Sequence, residues 1–487
     1  MQDDLRSART VMWLYIATAV AIVLLMLFLG VAMRSEQAQW IGFSPGLFYS
    51  LMTLHGIGMI TAVTIAGMGI MWYLVRRDGP LDARVAYVCY VSIVLGVVAV
   101  LVAVLVGRFA AAWTFLYPLP FVGATWPSWA TGWFLFGVAL VNLGWLIWCL
   151  QILGASWSRY GGLAGALGLD YIFRRRSFDA AGKHPPEPQA IAATVVSFDG
   201  VITGAAGMVI GLALIAHWLN PAIVLDPLWA KNVTFFFGHS IANLTIYMVI
   251  AGVYVALPVY TRREYHTSPV FVVAWWGTLL FVLIAYFHHL YMDFVQLRAL
   301  QYIGEAASYL AAVPVAVVTV YGSAMLVYRS GMRWSLGSLL MFAGLVGWLV
   351  GGVGALLDAT VPFNSDLHNT LWVPAHFHTY LLEGVLLFIF GWIFFMLEER
   401  SGRVTSSVMR WLIGLTFFGG GAVFLLGLYA AGAAGVPRRF AIEPAPGPHI
   451  ASWSTIGALI LVCGAILIIV EALRLALVDR GAGVRES

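Results

Sequence analysis

Six histidines stand where a histidine is hardest to keep. His55 in "LMTLHGIGM", His239 in "FFFGHSIANLTIY", His288 and His289 in "YFHHLYMD", and His376 and His378 in "VPAHFHTY" all interrupt long apolar runs. An imidazole in an apolar helix costs free energy unless a partner takes up its nitrogens. Imidazole is also a common ligand of copper, zinc and iron. One shared metal-binding role therefore accounts for the six better than six separate hydrogen-bonded histidines do. Residues two apart on an α-helix project about 200° from each other. His376 and His378 are thus poorly placed to share one metal but well placed to serve two cofactors on opposite faces of a helix. Gly56 and Gly58 follow His55 and would let a flat macrocycle approach it. Asn243 lies one helical turn beyond His239. His184, His217, His266 and His449 fall in loops or at the ends of apolar runs and read as structural.

The elements that position these residues must be membrane helices. The chain has 487 residues, 61% hydrophobic and 10% charged, with a mean hydropathy of +0.90, whereas a soluble domain carries roughly 25% charged residues. Twelve stretches are long enough to cross a bilayer core, which needs about 20 apolar residues. They lie near 10–33, 45–75, 85–107, 128–155, 191–218, 232–260, 268–292, 299–328, 335–357, 369–397, 409–433 and 451–475. Strand alternation is absent, so the expected fold is an all-α integral membrane bundle in which helices satisfy the backbone. The first span is too long for the apolar core of a cleavable signal peptide. With both termini on one side, 20 of the 26 Lys and Arg residues fall on that side. Only Arg34, Arg108, Lys231, Arg298, Arg438 and Arg439 fall opposite, which makes both termini cytoplasmic. The six histidines then share the outer half of their spans. Cys89, Cys149 and Cys463 lie in separate spans and read as packing residues. No composition break marks a second domain, so 1–487 reads as a single transmembrane catalytic domain. Its basic cytoplasmic loop, about 156–190, is suited to anionic lipid headgroups. The outer loops "AAWTFLYPLPFVGATWPSW" and "FAIEPAPGPH" are expected to form an ordered cap on which a partner could dock.

Together, "GH" on span 6, "HH" on span 7, "H…H-F-H" on span 10 and "VPRR" at 436–439 resemble subunit I of the heme-copper oxidoreductases. That superfamily comprises terminal respiratory oxidases and nitric oxide reductases, and the resemblance covers nearly the whole chain. It implies that His55 and His378 are the axial pair of a low-spin heme and that His376 is the proximal ligand of a high-spin heme. It further implies that His239, His288 and His289 hold a nearby non-heme metal, copper or alternatively iron. His368, Arg438 and Arg439 match positions near the heme propionates, and two arginines suit two carboxylates. Either heme could be of a or b type.

In most oxygen-reducing members a tyrosine stands four residues after the span 6 histidine and supplies an electron and a proton. Here that residue is Asn243, and an amide supplies neither. Joining two nitric oxide molecules needs only two electrons, so the expected activity is reduction of nitric oxide to nitrous oxide and water. The alternative is dioxygen reduction to water by a cytochrome oxidase. The cytochrome-c-dependent nitric oxide reductases have glutamate at this place and another on span 8, where this chain has Ala311. The resemblance is therefore to a divergent, tyrosine-lacking branch. Asn243 is a candidate metal ligand or hydrogen-bond donor to a bound intermediate. Tyr286, one turn before His289, is a candidate replacement for the tyrosine.

Protons must reach such a site. Tyr247 and Tyr254 project from the same face as His239 and Asn243, while Ser308, Thr319 and Ser323 form a stripe on span 8. The two stripes resemble the single proton channel of some oxidases, although Val318 falls near the usual lysine. Glu383, seven residues after His376, is expected on the same face and is a candidate proton relay or heme contact. The chain has no C-x-x-C-H motif, so electrons are expected from a partner subunit with a copper or cytochrome c domain on the outer face. The other expected partners are membrane lipid and the gas itself, with no nucleic acid. The setting is the cytoplasmic membrane of a bacterium or archaeon. A transporter is the remaining alternative. It would show internal repeats and bind no heme.

Overall fold

The computed structural model describes residues 2–111, 125–293 and 295–477. It contains twelve membrane-length helices: α1 (Arg6–Gln37), α2 (Pro45–Asp78), α3 (Ala83–Val106), α4 (Ser128–Tyr160), α5 (Pro188–Leu219), α6 (Pro227–Thr261), α7 (Pro269–Leu290), α8 (Ala299–Val327), α9 (Leu336–Ala359), α10 (Trp372–Ser401), α11 (Ser407–Ala433) and α12 (Gly447–Leu477). All twelve expected spans are present, each within a few residues of its apolar run. Local chemistry marks where several begin. Ser44, Asp226 and Ser268 each cap a helix through a side-chain oxygen, and Pro45, Pro227 and Pro269 follow at the first turn. Short helices occupy the 156–190 loop. The first of the two expected outer caps falls largely, at 112–124, outside the described residues.

Consecutive helices pack as antiparallel pairs, with α2 against α6 and α1 against α12 closing the bundle. Three helices lie inside. In their most apolar windows 78% of α2, 78% of α6 and 89% of α10 is buried, against at most 44% elsewhere. These three carry His55, His239, His376 and His378. One face of α9 is built from Gly344, Gly347, Gly351 and Gly354, which meet Phe388, Glu383, Tyr380 and His376 of α10. Small residues on one stripe let two membrane helices approach closely, and here they seat the helix with most of the histidines.

Regular α-geometry breaks at chosen places. Tyr286–Leu290, the "YFHHL" that ends α7, winds as a tighter 3-10 turn. Leu381–Val385 in α10, Val102–Val106 in α3 and Gly414–Gly419 in α11 widen into π-turns. Such interruptions re-aim side chains and recur at functional sites.

Candidate active site

A large cavity runs between α1, α2, α6, α7, α8 and α10 and is lined by all six histidines. At one end His55 and His378 face each other with ring centroids 6.0 Å apart and planes 16° from parallel. Imidazoles that each sit about 2 Å from one shared metal have centroids about 6 Å apart. Each Nδ1 lies against a backbone carbonyl, His55 on Met26 at 2.8 Å and His378 on Pro374 at 2.7 Å. A carbonyl only accepts, so each Nδ1 carries the proton and each Nε2 keeps its lone pair for a metal. The pair fits two axial positions. The glycines act differently from expectation: Gly30 leaves room for the His55 ring, while Gly58 chiefly makes room for the Met26 sulfur.

Further along, one ligand nitrogen from each of His239, His288 and His289 lies within 4.8 Å of the others. His239 Nδ1 and His289 Nε2 are 3.2 Å apart, close to the roughly 3.3 Å between two ligands of a tetrahedral metal. His288 and His289 are adjacent on the 3-10 turn, and their ring centroids lie 4.3 Å apart. His288 Nδ1 also meets Ser308 Oγ at 3.0 Å. Among the described residues no Asp or Glu lines this cavity. Three imidazoles without a carboxylate suit copper better than non-heme iron. Asn243 lines the same wall, and its Nδ2 donates to the His239 carbonyl at 3.0 Å. Its amide oxygen is left without a protein partner among the described residues.

His376 lies on the opposite face of α10 from His378, as the spacing predicts. Its Nδ1 is buried without a partner, and its Nε2 lies 3.1 Å from Asp358 Oδ2 at the end of α9. An orphaned buried imidazole nitrogen at the cavity wall fits a heme ligand. His368, Arg438 and Arg439 line the outer end of the cavity; the Arg438 backbone N–H donates to the Asn369 carbonyl, while neither guanidinium makes a hydrogen bond or ion pair among the described residues. Burial and the two arginines pull His368 down to about 4, while burial beside Arg439 pulls Arg438 down to about 10. Two unpaired guanidinium groups there fit two carboxylates. Arg34 joins this wall, tied to Glu443 at 2.7 Å.

Two candidates lie away from the cavity. Tyr286 donates to Asn232 at 3.3 Å and stacks on Phe287, and it does not line the cavity. Glu383 sits in the π-turn of α10 and meets the glycine face of α9 at Gly347, as His376 does at Gly354. Its Oε1 packs against Gly421 of α11 and is buried without a hydrogen-bond partner among the described residues. The proton stripes do come together. Tyr254 and Thr319 share a 2.6 Å hydrogen bond between α6 and α8. Tyr247 and Thr278 both donate to the Ala311 carbonyl, at 3.5 and 3.1 Å. Ser323 lies beside Tyr265 at the cytoplasmic end. Sequence reasoning missed Thr278, Arg34, Asp358 and Tyr380. The arginine had a visible signal, as one of few outward charges. The others depend on which helices become neighbours.

The family model described as Cytochrome C and Quinol oxidase polypeptide I matches residues 10–467. Among curated relatives, cytochrome c oxidase subunit 1 of Thermus thermophilus is 28% identical over 250 residues, covering 47% of this chain and 44% of the relative. The Synechocystis subunit 1 is 23% identical over 437 residues, covering 88% of this chain and 76% of the relative. A heme-copper terminal oxidase dimer solved by cryo-electron microscopy superposes with a TM-score of 0.79 at 20% identity, covering 99% of this chain and 85% of that one. Because the family match runs through all twelve helices, the chain belongs to the Cytochrome C and Quinol oxidase polypeptide I family, the heme-copper oxidase subunit I proteins.

Proposed function

We propose that the chain is the catalytic subunit of a respiratory reductase for a diatomic gas, and that the gas is nitric oxide. His55 and His378 would hold a low-spin heme, His376 a high-spin heme, and His239, His288 and His289 a copper ion. When bound, these groups would supply one-electron redox chemistry to the gas in this cavity. His368, Arg438, Arg439 and Arg34 would anchor the heme carboxylates. Electrons would arrive from an outer-face partner with a copper or cytochrome c domain.

One observation favours nitric oxide: Asn243 stands beside His239 where a redox-active phenol would be required. The one tyrosine lining the cavity among the described residues is Tyr380, which packs on Gly351 and Gly352 on the His376 side. Dioxygen needs four electrons and four protons to give two waters. Two nitric oxide molecules need two electrons and two protons to give nitrous oxide and one water. The second reading, dioxygen reduction, is favoured by the relatives, which are named cytochrome c oxidase subunit 1. The test compares nitrous oxide formation with oxygen uptake by the same purified complex and artificial donor. Fast nitrous oxide formation with poor oxygen uptake is expected. Rapid, complete oxygen reduction without nitrous oxide would establish the second reading instead.

A further inference from the structure

Asp199 stands about 16 Å up α5 from Pro188, at 1.5 Å per residue, so it lies deep in the bilayer. It is fully buried, and neither carboxyl oxygen has a hydrogen-bond partner among the described residues. It forms no ion pair among the described residues. A lone intramembrane carboxyl is expensive as an anion and is kept for a reason, most often proton movement. Glu398, by contrast, is bonded to Ser335, Tyr260 and the Gly337 amide.

Asp199 faces no solvent, and the helix that carries it packs closely on α6, which carries the equally enclosed Tyr247. Tyr247 in turn shares the Ala311 carbonyl with Thr278 of α7. Both residues lie on the cytoplasmic side of His239, below the cavity, and Asp199 does not line the cavity itself.

We propose that Asp199 is the proton-holding carboxyl of this chain, set on α5 to recharge the Tyr247 stripe. The carboxylic O–H bond breaks as its proton passes to the Tyr247 oxygen, directly or through one water, while the original phenol proton moves on toward the cavity. Asp199 is then reprotonated from the cytoplasmic side, so each cycle consumes one proton and leaves both groups neutral. The proposal rests on the reading that the cavity reduces a gas with proton uptake, and it holds for either gas.

The test uses the purified holoenzyme and three measurements: heme content, proton uptake per turnover, and the carboxyl band in the reduced-minus-oxidised infrared difference spectrum. Asp199→Asn keeps the shape but cannot pass the proton. It should retain both hemes and their reduction by an artificial donor, lose the band, and slow turnover by at least about 100-fold, as for loss of a proton-transfer group. Asp199→Glu should restore both rate and band. Wild-type turnover in Asp199→Asn would overturn the proposal, as would failure of Asp199→Glu to restore a slowed one. If neither variant assembles, a deuterium-sensitive carboxyl band in the wild type supports the proposal, and its absence overturns it. A wild-type enzyme that turns over neither gas with proton uptake would instead defeat the reading of the cavity.

Discussion

Single side chains divide the work in the cavity, and substitutions should separate their roles. His378→Ala removes half of the stacked pair with His55 while leaving His376 on the other face of α10. The low-spin heme absorbance should vanish and the high-spin species largely remain, as read from optical spectra and heme extraction. Loss of the high-spin species alone would reverse the two faces. For Asn243→Ala the structure gives a definite expectation. The amide nitrogen is engaged by the His239 carbonyl, and three imidazoles already surround the metal position. Metal content should therefore hold, while turnover falls roughly 10–1000-fold, as for loss of one well-placed hydrogen bond at a reacting group. Metal analysis beside steady-state rates checks both halves. The histidines were legible in the sequence because an imidazole in an apolar run is conspicuous and its α-helical angle is fixed. Asp358 was not, because its neighbour His376 lies on another helix and only the packing of α9 on α10 brings them together.

At the scale of elements, turn type decides where residues go, and composition does not report it. All twelve helices could be read from apolar run length. The π-turn at Leu381–Val385 could not, since "LLEGV" carries no local signature of a widened turn. Glu383 and His376 both meet the glycine face of α9, and the Glu383 Oε1 ends against Gly421 of α11. Packing of α9 on α10 gives a direct test. A Cβ at Gly347 would lie 1.9 Å from the Glu383 carbonyl oxygen, a backbone atom that cannot step aside. Gly347→Ala should force the helices apart, costing about 1–3 kcal/mol or more and lowering the yield of heme-loaded protein. Gly211→Ala has nothing within 4 Å of the new carbon and should leave thermal unfolding and heme content near wild type. Equal loss in both would show that the close approach is not what is being measured, since alanine is the better helix former.

Across the whole molecule, α1 is fastened to the far end of the chain by a buried ion pair. Arg34 and Glu443 meet at 2.7 Å with side chains 3% and 0% exposed, and Arg34 also donates to Ser454 on α12. Burial pushes the Glu443 carboxyl up, and Arg34 pulls it back toward the charged form. Arg34→Met strands that carboxyl and should destabilise the holoprotein by about 3–5 kcal/mol, whereas adding Glu443→Leu should recover most of the loss. Unfolding of the two purified variants under one denaturant series checks this, and an equally unstable double variant would assign the damage to Arg34 alone. The positions of the histidines on the inner helices carry a consequence for biogenesis. Partners that face each other across the cavity are made at opposite ends of synthesis: His55 emerges on the second helix, His378 on the tenth, and the anchoring Arg438 and Arg439 later still. On the proposed assignment, no heme position would be complete while the ribosome is still building α9. Yet α10, once threaded, is the most enclosed helix of the bundle. On that assignment, cofactors would have to be delivered after α10 and α11 enter the membrane and before the bundle closes over them, which would make the timing of heme supply part of how this protein is made.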